Sequence, residues 1–187
     1  MNFEEFAADL PQQHSQWFTS PKALEEALKQ FGITQPTRQT KRGNFRAGLA
    51  HRAYPDCELF SDRYSTNLSL HLESPRGEFG ILLPRSPSNH FVINGINLGD
   101  DQLAVSPLGE GMNIAGSGPI GSDCIVMSNP RFTELLEILC PTASAVKGLT
   151  LVKVFAPERS SLGDLIVNLI GAPDKDLSGE RIANLLA

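Results

Sequence analysis

Residues 68–77 run Leu68-Ser69-Leu70-His71-Leu72-Glu73-Ser74-Pro75-Arg76-Gly77, and their periodicity decides the fold class. Leucine alternates with serine, histidine and glutamate, the two-residue period of a strand with one buried face, and Ser74-Pro75-Arg76-Gly77 then supplies a turn. His71 and Glu73 share the face opposite the leucines. Periodicity alone leaves open whether the leucines fill a lumen or lie under a layer of helices.

The same short period continues downstream. Phe79 to Leu83 predicts a strand ended by Pro84, and Phe91-Val92-Ile93 runs into Asn94-Gly95. Both of those turn residues tolerate positive φ, so a tight type I′ turn should return the chain along Ile96 and Leu98. Further short strands are expected at Leu103 to Val105, Met112 to Ile114 and Cys124 to Met127, separated by Pro107, Gly109-Glu110-Gly111 and Gly116-Ser117-Gly118-Pro119. Such spacing predicts a sandwich or barrel. It argues against a doubly wound sheet, whose parallel strands need long crossover helices.

Helices flank this region. Ser20 can cap a helix with Pro21 at its first position, and Leu24, Ala27, Leu28 and Phe31 recur at helical spacing before Gly32. Ile33 to Gly43 reads as a connector. Asn129-Pro130 starts a second helix carrying Phe132, Leu135, Leu136 and Leu139, and Leu149 to Phe155 is a further strand candidate. Ser161 and Asp164 have capping-box spacing ahead of the stripe Leu162, Leu165, Ile166, Leu169 and Ile170, and a last short helix is expected over Glu180 to Leu186.

The 187 residues suffice for one hydrophobic core with appendages. Lys plus Arg total 16 against 21 Asp plus Glu, a net charge of -5, which disfavours a polyanion as the main partner. The densest basic stretch holds Arg38, Lys41, Arg42 and Arg46 and reads as a solvated segment. Three cysteines, Cys57, Cys124 and Cys140, lack the spacing of a zinc site or a disulfide framework, so reduced thiols are expected. The acidic start MNFEEFAADL lacks the pattern of a signal peptide, and no apolar run has membrane-spanning length. A cytoplasmic location without membrane attachment is the expectation.

Chemistry-bearing motifs are sparse. The histidines His14, His51, His71 and His90 form neither HxH nor HExxH, and no nucleophile elbow or phosphate loop is present, so no catalytic residue, metal or cofactor is expected. What remains is binding inside the β region. Tyr54, Phe60, Tyr64, His71, Glu73, Phe79 and Phe91 are the candidates for lining a pocket, with Trp17 as a further aromatic, although each also suits a packed core.

From Asn94 to Gly116, the succession Asn94-Gly95, Leu98, Asp101, Leu103, Val105, Pro107, Gly109 and Glu110 resembles the N-terminal sensor or dimerisation domain of AraC-family transcription regulators. Phe45-Arg46-Ala47 and the short strands through Leu83-Pro84 upstream are similar to that family's first barrel half, and Ser128-Asn129-Pro130 downstream is similar to its barrel exit. The resemblance implies a mainly β fold, a cupin-like antiparallel β-barrel of jelly-roll type followed by C-terminal helices. It divides the chain into a helix and connector over 1–43, a barrel over 44–155 that includes a helix near 130–140, and C-terminal helices over 156–187. It also implies a regulatory domain for a small-molecule effector, with a homodimer interface on Leu162, Leu165, Ile166, Leu169 and Ile170; the competing expectation is that this stripe covers the barrel of its own chain. Such regulators continue into helix-turn-helix units that the helices from Leu162 onward do not supply. Direct nucleic-acid binding is therefore expected only from an absent DNA-binding domain. The alternatives are a cupin-like isomerase or dioxygenase and a dimerising structural adaptor.

Overall fold

The computed structural model describes residues 2–74, 76–85, 91–99, 101–139, 148, 150–153 and 156–173, with backbone only at 136, 138, 139 and 156–159. In chain order the elements are α1 (Phe3–Phe6), a 3₁₀ turn (Gln12–His14), β1 (Ser15–Phe18), α2 (Pro21–Lys29), β2 (Thr37–Gln39), β3 (Ala47–Ala53), β4 (Cys57–Tyr64), β5 (Leu68–Leu72), β6 (Glu78–Arg85), β7 (Phe91–Ile93), β8 (Ile96–Leu98), β9 (Gln102–Pro107), β10 (Met112–Gly116), β11 (Ile120–Ser128), α3 (Asn129–Leu139), β12 (Thr150–Lys153) and α4 (Ala156–Gly171). The strands form two antiparallel sheets, ordered β1-β3-β4-β11-β6-β9-β12 and β2-β5-β10-β7-β8.

Neither sheet closes on itself, which corrects the expected cupin-like jelly-roll barrel. The larger sheet ends at β1 and β12 and the smaller at β2 and β8, giving a mixed α/β fold with two open sheets. Alternation within a strand specifies which side chains are buried. It carries no information on whether the first and last strands of a sheet pair.

Two cores result. The first lies between the sheets, where Leu68, Leu70 and Leu72 of β5 meet Leu49, Phe60, Leu82 and Val126 of the larger sheet. The second covers the opposite face of the larger sheet, where Leu59, Leu83 and Ile125 pack with Ala7, Leu10, Phe132, Ile166 and Ile170 from the N-terminal segment and the helices. The middle strands β4 and β11 therefore bury side chains on both faces. All of β11 but Ser128 is buried.

Local signals explain the element boundaries. Ser20 accepts the Ala23 N–H at the start of α2, with Pro21 next to it. Asn94 and Gly95 adopt φ of 48° and 82° and turn β7 into β8, and Asn94 also exchanges two hydrogen bonds with the backbone of Asn113 on β10. Three local readings change. The connector contributes β2, β6 runs through Pro84 to Arg85, and α4 begins at Ala156, so Ser161 and Asp164 lie inside the helix. Pro157 falls in its first turn, where a missing N–H costs no hydrogen bond. The helix expected over Glu180 to Leu186 lies outside the described residues.

Helix α4 is held tightly on the larger sheet. Arg52 of β3 donates to the carbonyls of Ile170 (3.1 Å) and Ala172, and the Tyr54 hydroxyl donates to that of Leu169 (2.9 Å), satisfying acceptors that a helix C-terminus leaves open. Near its middle, Gly163 lies so close to the Arg85 guanidinium and the Asp123 carboxylate that a Cβ there would overlap both. Arg85 is pinned by Asp123 and Asp164 and has little freedom to give way. Alanine favours a helix over glycine by about 1 kcal/mol, yet Gly163→Ala is expected to lower the unfolding free energy by about 1–2 kcal/mol in urea denaturation, because overpacking against a pinned ion pair outweighs propensity.

Candidate functional site

Strand β4 carries Ser61-Asp62-Arg63-Tyr64, and its neighbour β11 carries Ser122-Asp123-Cys124, with Ser122 paired to Asp62 and Asp123 to Ser61. Alternation sends Asp62, Tyr64, Ser122 and Cys124 to one face and Ser61, Arg63 and Asp123 to the other.

On the first face a cavity of about 40 Å³ lies between the sheets. Its wall is mainly leucine, isoleucine and phenylalanine, interrupted by Gln35, Asp62, Tyr64 and Ser122. Gln35 Nε2 donates to the Tyr64 hydroxyl oxygen at 2.9 Å. The Ser122 N–H donates to Asp62 Oδ1 at 2.7 Å, and the Ser122 hydroxyl lies 3.1 Å from each carboxylate oxygen. Burial pushes the Asp62 carboxyl up from 3.8 to about 6, against the pull of Arg63 and the two Ser122 donors, and with Asp123 adding to the rise. Burial, then the charge of Asp62, drives the Tyr64 phenol well above its ordinary value. Gly121 lets the strands approach, since a Cβ there would overlap the Asp62 carbonyl. Cys124 also lines the cavity, and burial raises its thiol far enough to keep it a neutral wall group.

On the second face, Arg63 and Asp123 are both fully buried and paired at 3.2 Å. Ser61 donates to Asp123 Oδ1 at 2.6 Å, and Arg85 Nε to Oδ2 at 2.5 Å. Arg63 also reaches Asp9 of the N-terminal segment (2.6 Å) and the Ser122 carbonyl (3.2 Å), while Arg85 reaches Asp164 of α4 (3.2 Å). Five charged groups thus tie the N-terminal segment, the middle strands and α4 together.

The residues expected to line a pocket are divided among these surfaces. Phe60, Tyr64 and Phe91 meet at the cavity. Tyr54 and Phe79 lie on the helix side of the larger sheet, Phe79 stacked on Phe132 with ring centroids 4.2 Å apart. His71 and Glu73 sit together, 3.8 Å apart, on the outer face of the smaller sheet, where His71 Nδ1 also meets Asn113 at 3.0 Å. Trp17 is 56% exposed on edge strand β1. In the α4 stripe, Ile166 and Ile170 are buried in the second core, while Leu162, Leu165 and Leu169 are partly buried. Gln35, Asp62, Ser122 and the Arg63–Asp123 pair escape a reading by motif. For Asp62, Arg63 and Asp123 the signal is a charged residue inside a strand otherwise apolar on both faces; Gln35 and Ser122 carry no such signal. Among the described residues, no group of three or more His, Cys, Asp or Glu side chains is placed to hold a metal ion, and no helix is long and apolar enough to cross a membrane.

Fold and site define a helix-backed, two-sheet domain with a small, mainly apolar cavity between the sheets that a few polar side chains enter. No protein-family model matches the chain, and no curated protein matches it. Among solved structures, that of the AraC-like transcriptional activator CuxR is remotely similar, at 12% identity and a TM-score of 0.41 over 85% of this chain and 72% of that one.

The raised Asp62 sets a pH dependence. Unfolding returns the carboxyl to its ordinary value, so the folded state holds the proton more tightly and loses stability as pH climbs from 3.8 to about 6. A difference of that size corresponds to about 3 kcal/mol. Asp62→Asn should gain on the native chain by up to this amount between about pH 3.5 and pH 7.5, measured by urea unfolding at both; a difference that is constant with pH would contradict the assignment.

Proposed function

We propose that the chain is an effector-binding regulatory domain, of the AraC-like kind to which Asn94–Glu110 is similar, and that the effector enters the cavity between the sheets. The observation that carries this reading is the convergence of Gln35, Asp62, Tyr64 and Ser122 on an otherwise apolar cavity. Buried polar groups that merely stabilised a core would be replaceable by apolar ones at little cost, whereas a few polar groups in an apolar wall orient a ligand.

The cavity exceeds the roughly 10–15 Å³ that one water needs, but a metabolite requires the sheets to part. Effector binding then favours a more open form. On the far face of the same two strands, Asp123, itself paired with Arg63, holds Arg85, and through it Asp164 of α4. A shift in β4 and β11 would therefore change how firmly α4 is held, which is a population shift driven by differential affinity for the two forms.

Amide chemical shifts followed during titration with phenol, indole and cyclohexanol test this. At least one probe should move the Gly121 and Ser122 signals together with those of Asp164 and Ile166. Val126→Leu, which puts an extra methylene into the cavity, should weaken that binding at least about tenfold. Failure of every probe, or binding indifferent to Val126→Leu, would contradict the proposal.

A further inference from the structure

Strand β1 is an open edge of the seven-stranded sheet: it pairs with β3 on one side, and among the described residues no strand lies on the other. Part of its backbone N–H and C=O groups therefore points outward. Sheet edges are commonly blunted by charge, proline, a bulge or shortness, and here β12 carries Lys153, β2 carries Arg38 and β8 is only three residues long. β1 reads Ser15-Gln16-Trp17-Phe18 and pairs in an unbroken register, so it has neither charge, proline nor bulge.

Each face of β1 also borders an open groove. On the helix face, a groove of about 400 Å³ lies among Phe3, Leu10, Trp17 and Arg46. Trp17 rests there on Gly48, where a Cβ would overlap both the indole and Leu10, and it meets Phe3 edge-on at 6.2 Å, yet it remains 56% exposed. On the opposite face, a groove of about 340 Å³ lies among His14, Gln16, Phe31 and His51. An open ladder edge with a groove on each side is the arrangement that accepts an added strand, whose alternate side chains enter the two grooves.

We infer that the added strand is β1 of a second copy of this chain, antiparallel across a two-fold axis. Charge selects this occupant. A net charge of -5 makes two copies repel each other, so they meet with least penalty where the local charge cancels. β1 is uncharged, and the groove beside Trp17 holds one charge of each sign, Glu4 and Arg46, paired with each other and both exposed. A two-fold contact presents one patch twice and so requires a patch complementary to itself. This one offers the Glu4 of each copy to the Arg46 of the other. Opposed residues of an antiparallel pair share a face, which brings the two Trp17 side chains together on the helix face as direct or diagonal neighbours and the two Gln16 side chains together on the other. The α4 stripe is committed elsewhere, since Ile166 and Ile170 are buried in the second core of their own chain. The inference stands apart from whether the cavity takes an effector.

Trp17 is the chain's single tryptophan, so its emission reports on the contact directly. Sedimentation equilibrium and tryptophan emission, followed on the full chain from about 1 to about 300 μM, test the inference. The expected result is a monomer–dimer equilibrium in which emission moves to shorter wavelength as the dimer forms. Gln16→Lys keeps the reporter and sets two like charges against each other across the axis; it should weaken association at least about tenfold. Its urea transition at the lowest concentration should match that of the native monomer, which shows that the fold is kept. Leu165→Lys on α4 should leave association unchanged. A chain still monomeric at the highest concentration, a dimer whose emission does not move, or one indifferent to Gln16→Lys would overturn the inference. Dissociation by Leu165→Lys but not by Gln16→Lys would overturn it in favour of a contact through α4. Growth beyond the dimer would overturn the two-fold in favour of head-to-tail pairing of β1 with the opposite edge β12.

Discussion

The Arg63–Asp123 ion pair between β4 and β11 is the constraint on which the other features hang. Both side chains are fully buried, at the middle of the larger sheet. Taking two charges out of water costs several kcal/mol each, and their attraction repays that only where the remaining hydrogen-bonding positions are filled. Here Ser61 and Arg85 complete Asp123, and Asp9 and two backbone carbonyls complete much of Arg63, although Arg63 Nε has no hydrogen-bond partner among the described residues. Removing Asp123 would leave the fully buried Arg63 to the partly exposed Asp9, and removing Arg63 would leave Asp123 to Arg85, so either loss weakens the compensation of a buried charge and destabilises the fold. The N-terminal segment and α4 are thus required covers for the sheet, which supply or shield partners that the pair needs.

The same two strands hold the cavity wall on their other face. Asp62 is the neighbour of Arg63 and Ser122 the neighbour of Asp123, so any displacement of the ladder is felt on both sides at once. Phe60, Tyr64 and Leu82 line the cavity from the larger sheet, while Ile166 and Ile170 pack against its opposite side. Close packing makes such an arrangement prone to discrete shifts, since a side chain cannot slide by fractions without losing contact.

How far the sequence reveals this depends on the range of each interaction. The Asn94-Gly95 turn and the starts of α2 and α3 are legible because their chemistry is contained in a few residues. So is β5, whose leucines face one core and whose serine and histidine face out. The barrel expectation fails because alternation within strands says nothing of β1 and β12 remaining separate edges. Strands β4 and β11 are harder still, since two buried faces erase the alternation, and an aromatic such as Tyr54 or Phe79 gives no sign of which core it enters. The start of α4 was obscured by the local Ser161–Asp164 spacing, which mimics a cap inside a helix already begun near Pro157. Asp62, Arg63 and Asp123 resemble surface residues until their strand neighbours are known.

Amide hydrogen exchange at α4 tests the two-faced account most directly. If β4, β11 and α4 open as one unit, Asp62→Asn on the cavity face must change protection at Ile166 and Ile170 to the same extent as at Phe60 and Cys124. A change confined to the strands, with Ile166 and Ile170 exchanging as in the native chain, would show that the helix is held independently and would contradict the account.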